Sequence, residues 1–429
     1  MKKTIGCAAA CLLCWAAVLA VCFGLLCTAA AVPDEKLAGN LTASCDKLAV
    51  HLPHEKTADS IYHSICDNYA DAVLLGVAAN MTSGDIPRSV IDTKYYDDDY
   101  GPAVGIRATL NGLEGNIDYT RYWHGSLIAV RPLLALTDIS GIRLIGAVTV
   151  TLLIIGNAVL LLYRRHTAAC EIFLISAAAV QFWFVYTTLE YMTVFIIMLL
   201  ALPLYVRFAE NSRALAVISA GVGTLTAFAD FLTAETLTLL VPLTISFFIN
   251  AESGEKSDGK KSLLRLTGCG AAWGAAYLMT FAAKWVIAGA YLGRDVTQTA
   301  LAAAAERFGG SDRVPDSPAE LLFSALGANF SCLTPASDKI SVAGVIVWLG
   351  AFAAVCVILL KRKKLAPNLP KAAMIIIAAL PVIRFGVLMN HSYLHNFFTY
   401  RALMTSIMAM LGLMWYRVGG KSKKTKQKN

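Results

Sequence analysis

Apolar runs long enough to cross ~30 Å of hydrocarbon as helices recur along the chain at about 5–32, 143–163, 168–188, 192–208, 214–231, 236–250, 266–289, 341–360, 371–389 and 402–417. No single water-soluble core takes in that much hydrocarbon. With 57% apolar and 15% charged residues and a mean hydropathy of +0.60, the bilayer is the expected solvent. The expected fold class is therefore an all-α membrane protein of about ten transmembrane helices. The basic residues lie between the runs: Lys2/Lys3, Arg164-Arg165, Arg207/Arg213, Lys256/Lys260/Lys261/Arg265, Lys361-Arg362-Lys363-Lys364 and the tail from Lys421 to Lys428. All of them fall on one side when ten spans are threaded. The positive-inside rule makes that side the cytoplasm, with both termini on it, and the cell membrane the expected location. The net charge of +8 is thereby accounted for by topology and implies no nucleic-acid partner.

The chain divides accordingly. Residues 1–32 form the first span. Lys2, Lys3 and Ala29-Ala30-Ala31 resemble a cleavable signal, but the apolar stretch from Ile5 to Val32 far exceeds the ~7–15 residues of a signal core, so it is read as a retained anchor. Residues 33–142 form a large outer loop with 15 Asp+Glu against 8 Lys+Arg, a net of −7. It carries helical patterns near 58–81 and 125–137. Residues 143–289 hold spans two to seven and 290–340 a second outer loop. There Ser317-Pro318-Ala319-Glu320 joins a cap, a helix-compatible proline and an acid, and starts a short helix at Leu321. Residues 341–417 hold spans eight to ten, and 418–429 form a basic cytoplasmic tail. Eight of the eleven cysteines sit in apolar runs as packing residues. Cys45, Cys66 and Cys332 lie in outer segments, where two free thiols are preferred to a Cys45–Cys66 disulfide.

Three groups of outer residues are candidates for chemistry. Asp67 and Asp71 are four apart, so on a helix they share a face and repel by roughly 0.2–0.5 kcal/mol unless a cation, a proton or solvent intervenes. Two solvated acids are the plainer reading. Tyr119-Thr120-Arg121-Tyr122-Trp123-His124 packs a cation, an imidazole and three aromatic rings into six residues. The string suits an interfacial belt, or a grip on a phosphate with stacking on a sugar. The third group, at the outer ends of spans, comprises Glu190, Asp230, Glu235, Lys284, Arg384, His391, His395, Tyr400 and Arg401. Snorkelling explains Glu190 and Glu235; it explains Asp230 and Arg384 less well. Asp97-Asp98-Asp99 is read as a solvated loop. There is no GxxxxGK[ST], GxGxxG after a strand, HExxH or GxSxG, so ATP-driven transport, metalloprotease and serine-hydrolase readings lose their usual support.

A first span, a large outer loop with an early acidic pair, further spans and basic residues gathered on the same face resemble the GT-C class of integral-membrane glycosyltransferases. The strings around Asp67–Asp71, Arg121–Gly125, Ala229-Asp230-Phe231-Leu232-Thr233 and His391–Arg401 also resemble a group of uncharacterised multi-span proteins of Gram-positive bacteria. The first resemblance implies a polyprenyl-phosphate-linked sugar donor and an extracytoplasmic glycan, lipid or protein acceptor. Asp67 or Asp71 would be the base that deprotonates the acceptor hydroxyl. Arg121, Lys284, Arg384, His391, His395 and Arg401 would stabilise the leaving phosphate, with Arg384 and Arg401 foremost. Tyr122, Trp123, His124, Asp230 and Tyr400 would complete the substrate site. A divalent cation at the acids stays open, no other cofactor being implied. Two rival readings also stay open: a transporter or flippase of a lipid-linked or anionic solute, and a membrane scaffold. A transporter wants polar residues near the bilayer midplane, where Asn157 and Gln181 are the obvious ones.

Overall fold

A computed structural model of the chain describes residues 2–253, 258–308, 314–315, 317–361 and 369–418; Lys256, Arg362, Lys363, Lys364 and the tail from Lys421 lie outside them. The fold is all-α. In chain order the helices are α1 (Lys2–Ala30), α2 (Asp34–Ala49), α3 (Asn68–Asn80), α4 (Ile86–Ile91), α5 (Pro102–Leu110), α6 (Leu127–Leu134), α7 (Ile139–Tyr163), α8 (Thr167–Ala179), α9 (Leu189–Arg207), α10 (Ser212–Ala229), α11 (Leu237–Glu252), α12 (Gly259–Leu292), α13 (Val296–Phe308), α14 (Pro318–Ser331), α15 (Val342–Lys361), α16 (Lys371–Val387), α17 (Met389–Leu394), α18 (Asn396–Thr399) and α19 (Leu403–Val418). Two small antiparallel pairs, β1 (His54–Lys56) with β2 (Ile65–Asp67) and β3 (Lys94–Tyr95) with β4 (Ile117–Asp118), pin the first loop.

Among the described residues six helices are long and apolar enough to cross a membrane: Ile5–Ala30, Ile139–Tyr163, Leu189–Arg207, Ser212–Ala229, Gly259–Leu292 and the continuous run Asn396–Trp415. Each of the ten expected runs is at least partly helical, but Thr167–Ala179, Leu237–Glu252 and Val342–Ala354 are shorter apolar helices. Helix α7 shows why water is the wrong solvent. Leu144, Val148, Leu152, Ile155 and Val159 form an exposed stripe at helical spacing down its length.

The run expected at 168–188 breaks after α8. Gln181 adopts φ +51° and the chain resumes as a 3-10 helix, Phe182–Thr187. An amide half withdrawn from solvent needs its hydrogen bonds met. The Gln181 Oε1 lies 2.9 Å from Nε2 of His63, and its Nε2 donates to the Cys332 carbonyl at 3.0 Å. The Tyr400 hydroxyl donates to the Val180 carbonyl freed by the break. The first loop also departs from expectation. Of 58–81 only α3 is helical, because Ile65–Asp67 pairs with His54–Lys56 instead. Helix α6 falls within 125–137. Helix α14 begins at Pro318, three residues before the expected start at Leu321, and the Ser317 side chain makes no cap bond.

The loop is not a flexible appendage. The fully buried Arg131 of α6 donates to the carbonyls of Ala29, Ala30 and Val32 at the end of α1, to those of Ala78 and Met81 at the end of α3, and to Asp34 at the start of α2. Carbonyls at helix C-termini have no partner of their own, so one guanidinium satisfies several and joins three helices. Replacing it by methionine leaves these carbonyls bare, at a cost of about 3 kcal/mol. Arg131→Met should therefore lower the thermal midpoint of the purified protein by several degrees; an unchanged midpoint would contradict this role.

Candidate functional site

Where the first loop meets the ends of α9, α10, α17 and α18, the structure encloses a cavity of about 270 Å³. Asp67, Arg121, His124, His391 and His395 line it together with His54, Tyr119, Glu190, Phe231 and Arg307.

Asp67 does not share a helical face with Asp71, as the spacing suggested. It is the N-cap of α3, its Oδ1 accepting from the Ala70 amide at 2.9 Å. Strand register sets His54 opposite it, with Nε2 at 3.7 Å, and its own amide donates to the Thr188 hydroxyl at 2.9 Å. Burial raises the Asp67 carboxyl, opposed by His54 and Arg143. Asp71, one turn on, is spoken for. Its Oδ2 pairs with Arg143 at 2.7 Å and its Oδ1 accepts from the Leu189 amide at 3.0 Å. Burial pushes it up to about 6 despite Arg143. Of the two acids, Asp67 faces the cavity and Asp71 locks the first turn of α3 onto α7 and α9.

The walls are aromatic. Tyr119 stacks on Phe231 with centroids 6.3 Å apart, and His124 lies 5.0 Å from the Tyr119 ring. His124 sits at φ +56°, with Nε2 3.1 Å from the Tyr119 carbonyl. Since a carbonyl only accepts, that nitrogen carries the proton. Burial pushes His124 and His395 down to about 3 and His391 well below its ordinary value. These imidazoles are neutral and bring hydrogen-bonding nitrogens rather than charge. Positive charge comes from Arg121, whose guanidinium lies over Tyr119 at 4.5 Å and Tyr122 at 5.1 Å, and from Arg307, 5.8 Å from the same Tyr122 ring. Neither forms an ion pair among the described residues. Glu190 likewise makes no ion pair or hydrogen bond there.

The remaining expected residues are engaged elsewhere. Lys284 donates to the carbonyls of Val90 and Ile91 at 3.0 and 2.9 Å. Arg384 pairs with Glu235 at 2.6 Å. Asp230 caps its own turn through Leu232 and Thr233. The indole of Trp123 donates to the Thr280 carbonyl at 2.8 Å. Arg401 is fully buried 4.6 Å from the Tyr191 ring without a hydrogen bond, and Tyr400 is held on Val180. Tyr122 stands at the edge of the cavity beside Arg121. Cys45 and Cys66 are free thiols. Among the described residues no three His, Cys, Asp or Glu side chains gather as a metal site.

Beside this polar chamber runs an apolar groove of about 440 Å³ between α12, α13 and α16, lined by Leu232, Tyr277, Phe281, Trp285, Ala303 and Leu388 among others. Arg121 and Arg307 line both spaces. Sequence reading missed His54 and Arg307, set Glu190 aside as a snorkelling acid, and met Phe231 only as the neighbour of Asp230. A lone Glu at a span end and an Arg ending an alanine-rich helix carry no motif. Asp67, Tyr119, Arg121, His124, His391 and His395 were signalled by their local strings. Comparison of the chain with models of known protein families, with curated proteins and with solved structures gives no match.

The buried imidazoles set a pH dependence. His395 is held near 3 against an ordinary 6.5, so between those values only the unfolded chain binds its proton. The stability it contributes is complete above its unfolded value and is lost as pH falls. His395→Asn should shrink the drop in thermal midpoint between about pH 7 and about pH 5; an equal drop in both proteins would contradict the assignment.

Proposed function

We propose that the protein is a multi-span membrane glycosyltransferase that moves a sugar from a polyprenyl-phosphate carrier to an acceptor hydroxyl on the outer side of the cell membrane, with ten spans and both termini in the cytoplasm. The observation that carries this reading is the junction at Arg121 and Arg307, where a polar, aromatic-walled cavity holding an acid opens onto an apolar groove. An amphiphile with an anionic joint fits that sequence of environments: chain in the groove, phosphate at the two guanidiniums, sugar against the rings.

Asp67 is the base of the proposed reaction. As its carboxylate takes the acceptor proton, the acceptor oxygen bonds to the anomeric carbon and the bond from that carbon to the phosphate oxygen breaks. The electron pair leaves on the polyprenyl phosphate, where Arg121 and Arg307 meet the developing charge. The neutral imidazoles of His391 and His395 and the Glu190 carboxylate suit the binding of hydroxyls. Displacement from the face opposite the phosphate inverts the anomeric configuration.

The transporter reading uses the same arginines but wants free polar groups at midplane. Gln181 is held by His63 and Cys332, and the Asn157 amide donates to the Leu153 and Leu199 carbonyls. Gln181 is consumed by local structure and Asn157 only through its amide donors, its Oδ1 having no partner among the described residues. What favours the enzyme is the gathering of an acid, two arginines and aromatic rings at the cavity rather than at midplane.

With a synthetic short-chain polyprenyl-phosphate sugar as donor, Asp67→Asn is expected to lose about 100-fold or more in transfer rate while donor binding persists. Arg121→Gln should weaken donor binding as well. Full transfer by Asp67→Asn would remove the base assignment, and unaltered donor binding by Arg121→Gln the phosphate assignment.

A further inference from the structure

Two segments cross the site side by side, joined where the Gly125 amide donates to the Phe228 carbonyl at 2.8 Å. Along the first, Arg121 and Tyr122 line the apolar groove described above, His124 lines the polar cavity, and Gly125 and Ser126 line a second apolar groove. Along the other, Leu232, Phe231 and Phe228 visit the same three spaces in the same order. At α9, likewise, Leu189 faces the second groove and Glu190 the cavity. The polar chamber is therefore flanked by apolar grooves on two sides. The second measures about 390 Å³ and lies between α7, α9 and α10 over a floor of α6. Its walls include Ile145, Met192 and Ile196.

The grooves differ in charge. Two guanidiniums stand where the first meets the cavity. No ionisable side chain other than Cys22 lines the second; its polar lining is Ser126, Thr149 and Thr193. The threonine hydroxyls are satisfied by carbonyls of their own helices, whereas Ser126 Oγ is buried and has no hydrogen-bond partner. An anionic head finds no counter-charge there, while an uncharged hydroxylated head does not need one.

We infer that the second groove holds the hydrocarbon chain of the acceptor, a membrane lipid with an uncharged, hydroxyl-bearing head group of the diacylglycerol or neutral glycolipid kind. The inference rests on the transferase reading and completes it: both substrates enter sideways from the bilayer and their heads meet at Asp67. The acceptor hydroxyl gives its proton to Asp67 and its oxygen to the anomeric carbon, and polyprenyl phosphate departs.

The test uses the full chain in phosphatidylcholine nanodiscs with three photoactivatable probes, each labelled in its hydrocarbon chain: diacylglycerol, anionic phosphatidylglycerol, and a polyprenyl phosphate. Diacylglycerol should label peptides of α6, α7 and α9 about tenfold more strongly than phosphatidylglycerol does. Ala129→Trp or Ile145→Trp should abolish that labelling. Ala129 is exposed and Ile145 is 41% exposed, so each ring fills the groove rather than the core. Equal labelling by both glycerolipids, or labelling indifferent to both tryptophans, would mean ordinary bilayer lipid in the groove and overturn the inference. The polyprenyl phosphate separates the two readings. If it fails to label α12 and α13 while diacylglycerol labelling stands, the donor reading and with it the acceptor role fall, and a neutral-lipid site remains.

Discussion

The geometry of the site depends on one buried carboxylate. Asp71 takes the Arg143 guanidinium of α7 on one oxygen and the first amide of α9 on the other. A buried ion pair is weak evidence for stability, but breaking one is costly and its geometry is unforgiving. By fixing the first turn of α3 against two long apolar helices, this pair sets the position of Asp67 one turn earlier and of Glu190 one residue later. Both therefore look into the same chamber. The Arg143 guanidinium also donates to Asn68 at 2.9 Å, so the cap, the acid and the helix start move as one body.

Positive charge is divided by a simple rule. Arg131, Lys284 and Arg384 are buried and have given their donors to carbonyls or to Glu235. Arg121, Arg307 and Arg401 rest on aromatic faces instead, and of these three only Arg121 and Arg307 line the cavity. A guanidinium over a ring is held in place without its hydrogen-bonding capacity being used, which leaves it available to a phosphate. The histidines, neutral because burial disfavours their charge, add polarity without adding to the field. The cationic side chains that face open space thus concentrate at the mouth shared by the cavity and the first groove.

The apolar runs were legible because their period and length are local properties, and a helix occupies some part of every expected span. The exact extents were not. The break at Gln181 depends on His63 and Cys332, partners more than a hundred residues away in sequence. Asp67 and Asp71 were visible as a pair, but which one faces the cavity was decided by Thr188, Leu189 and Arg143, and by a strand that displaced the expected helix. The arginines ranked first by position, Arg384 and Arg401, lie at span ends like any substrate ligand. Only three-dimensional packing reveals that Glu235 occupies one and that the other is enclosed by Tyr191 and Tyr400. Arg307 lay beyond any local signal, since its meaning comes from Tyr122, far away in the chain.

In the proposed reaction one polar chamber receives an anionic amphiphile through the Arg121–Arg307 mouth. The most direct measurement is an experimental structure of the full chain in lipid nanodiscs with a non-hydrolysable polyprenyl-phosphate sugar. The account predicts density for the phosphate between Arg121 and Arg307, for the sugar beside Asp67 and the Tyr119–Phe231 wall, and for the chain along α12 and α13. A donor bound at the midplane, or with its phosphate on Arg384 or Arg401 and the chamber vacant, would contradict it.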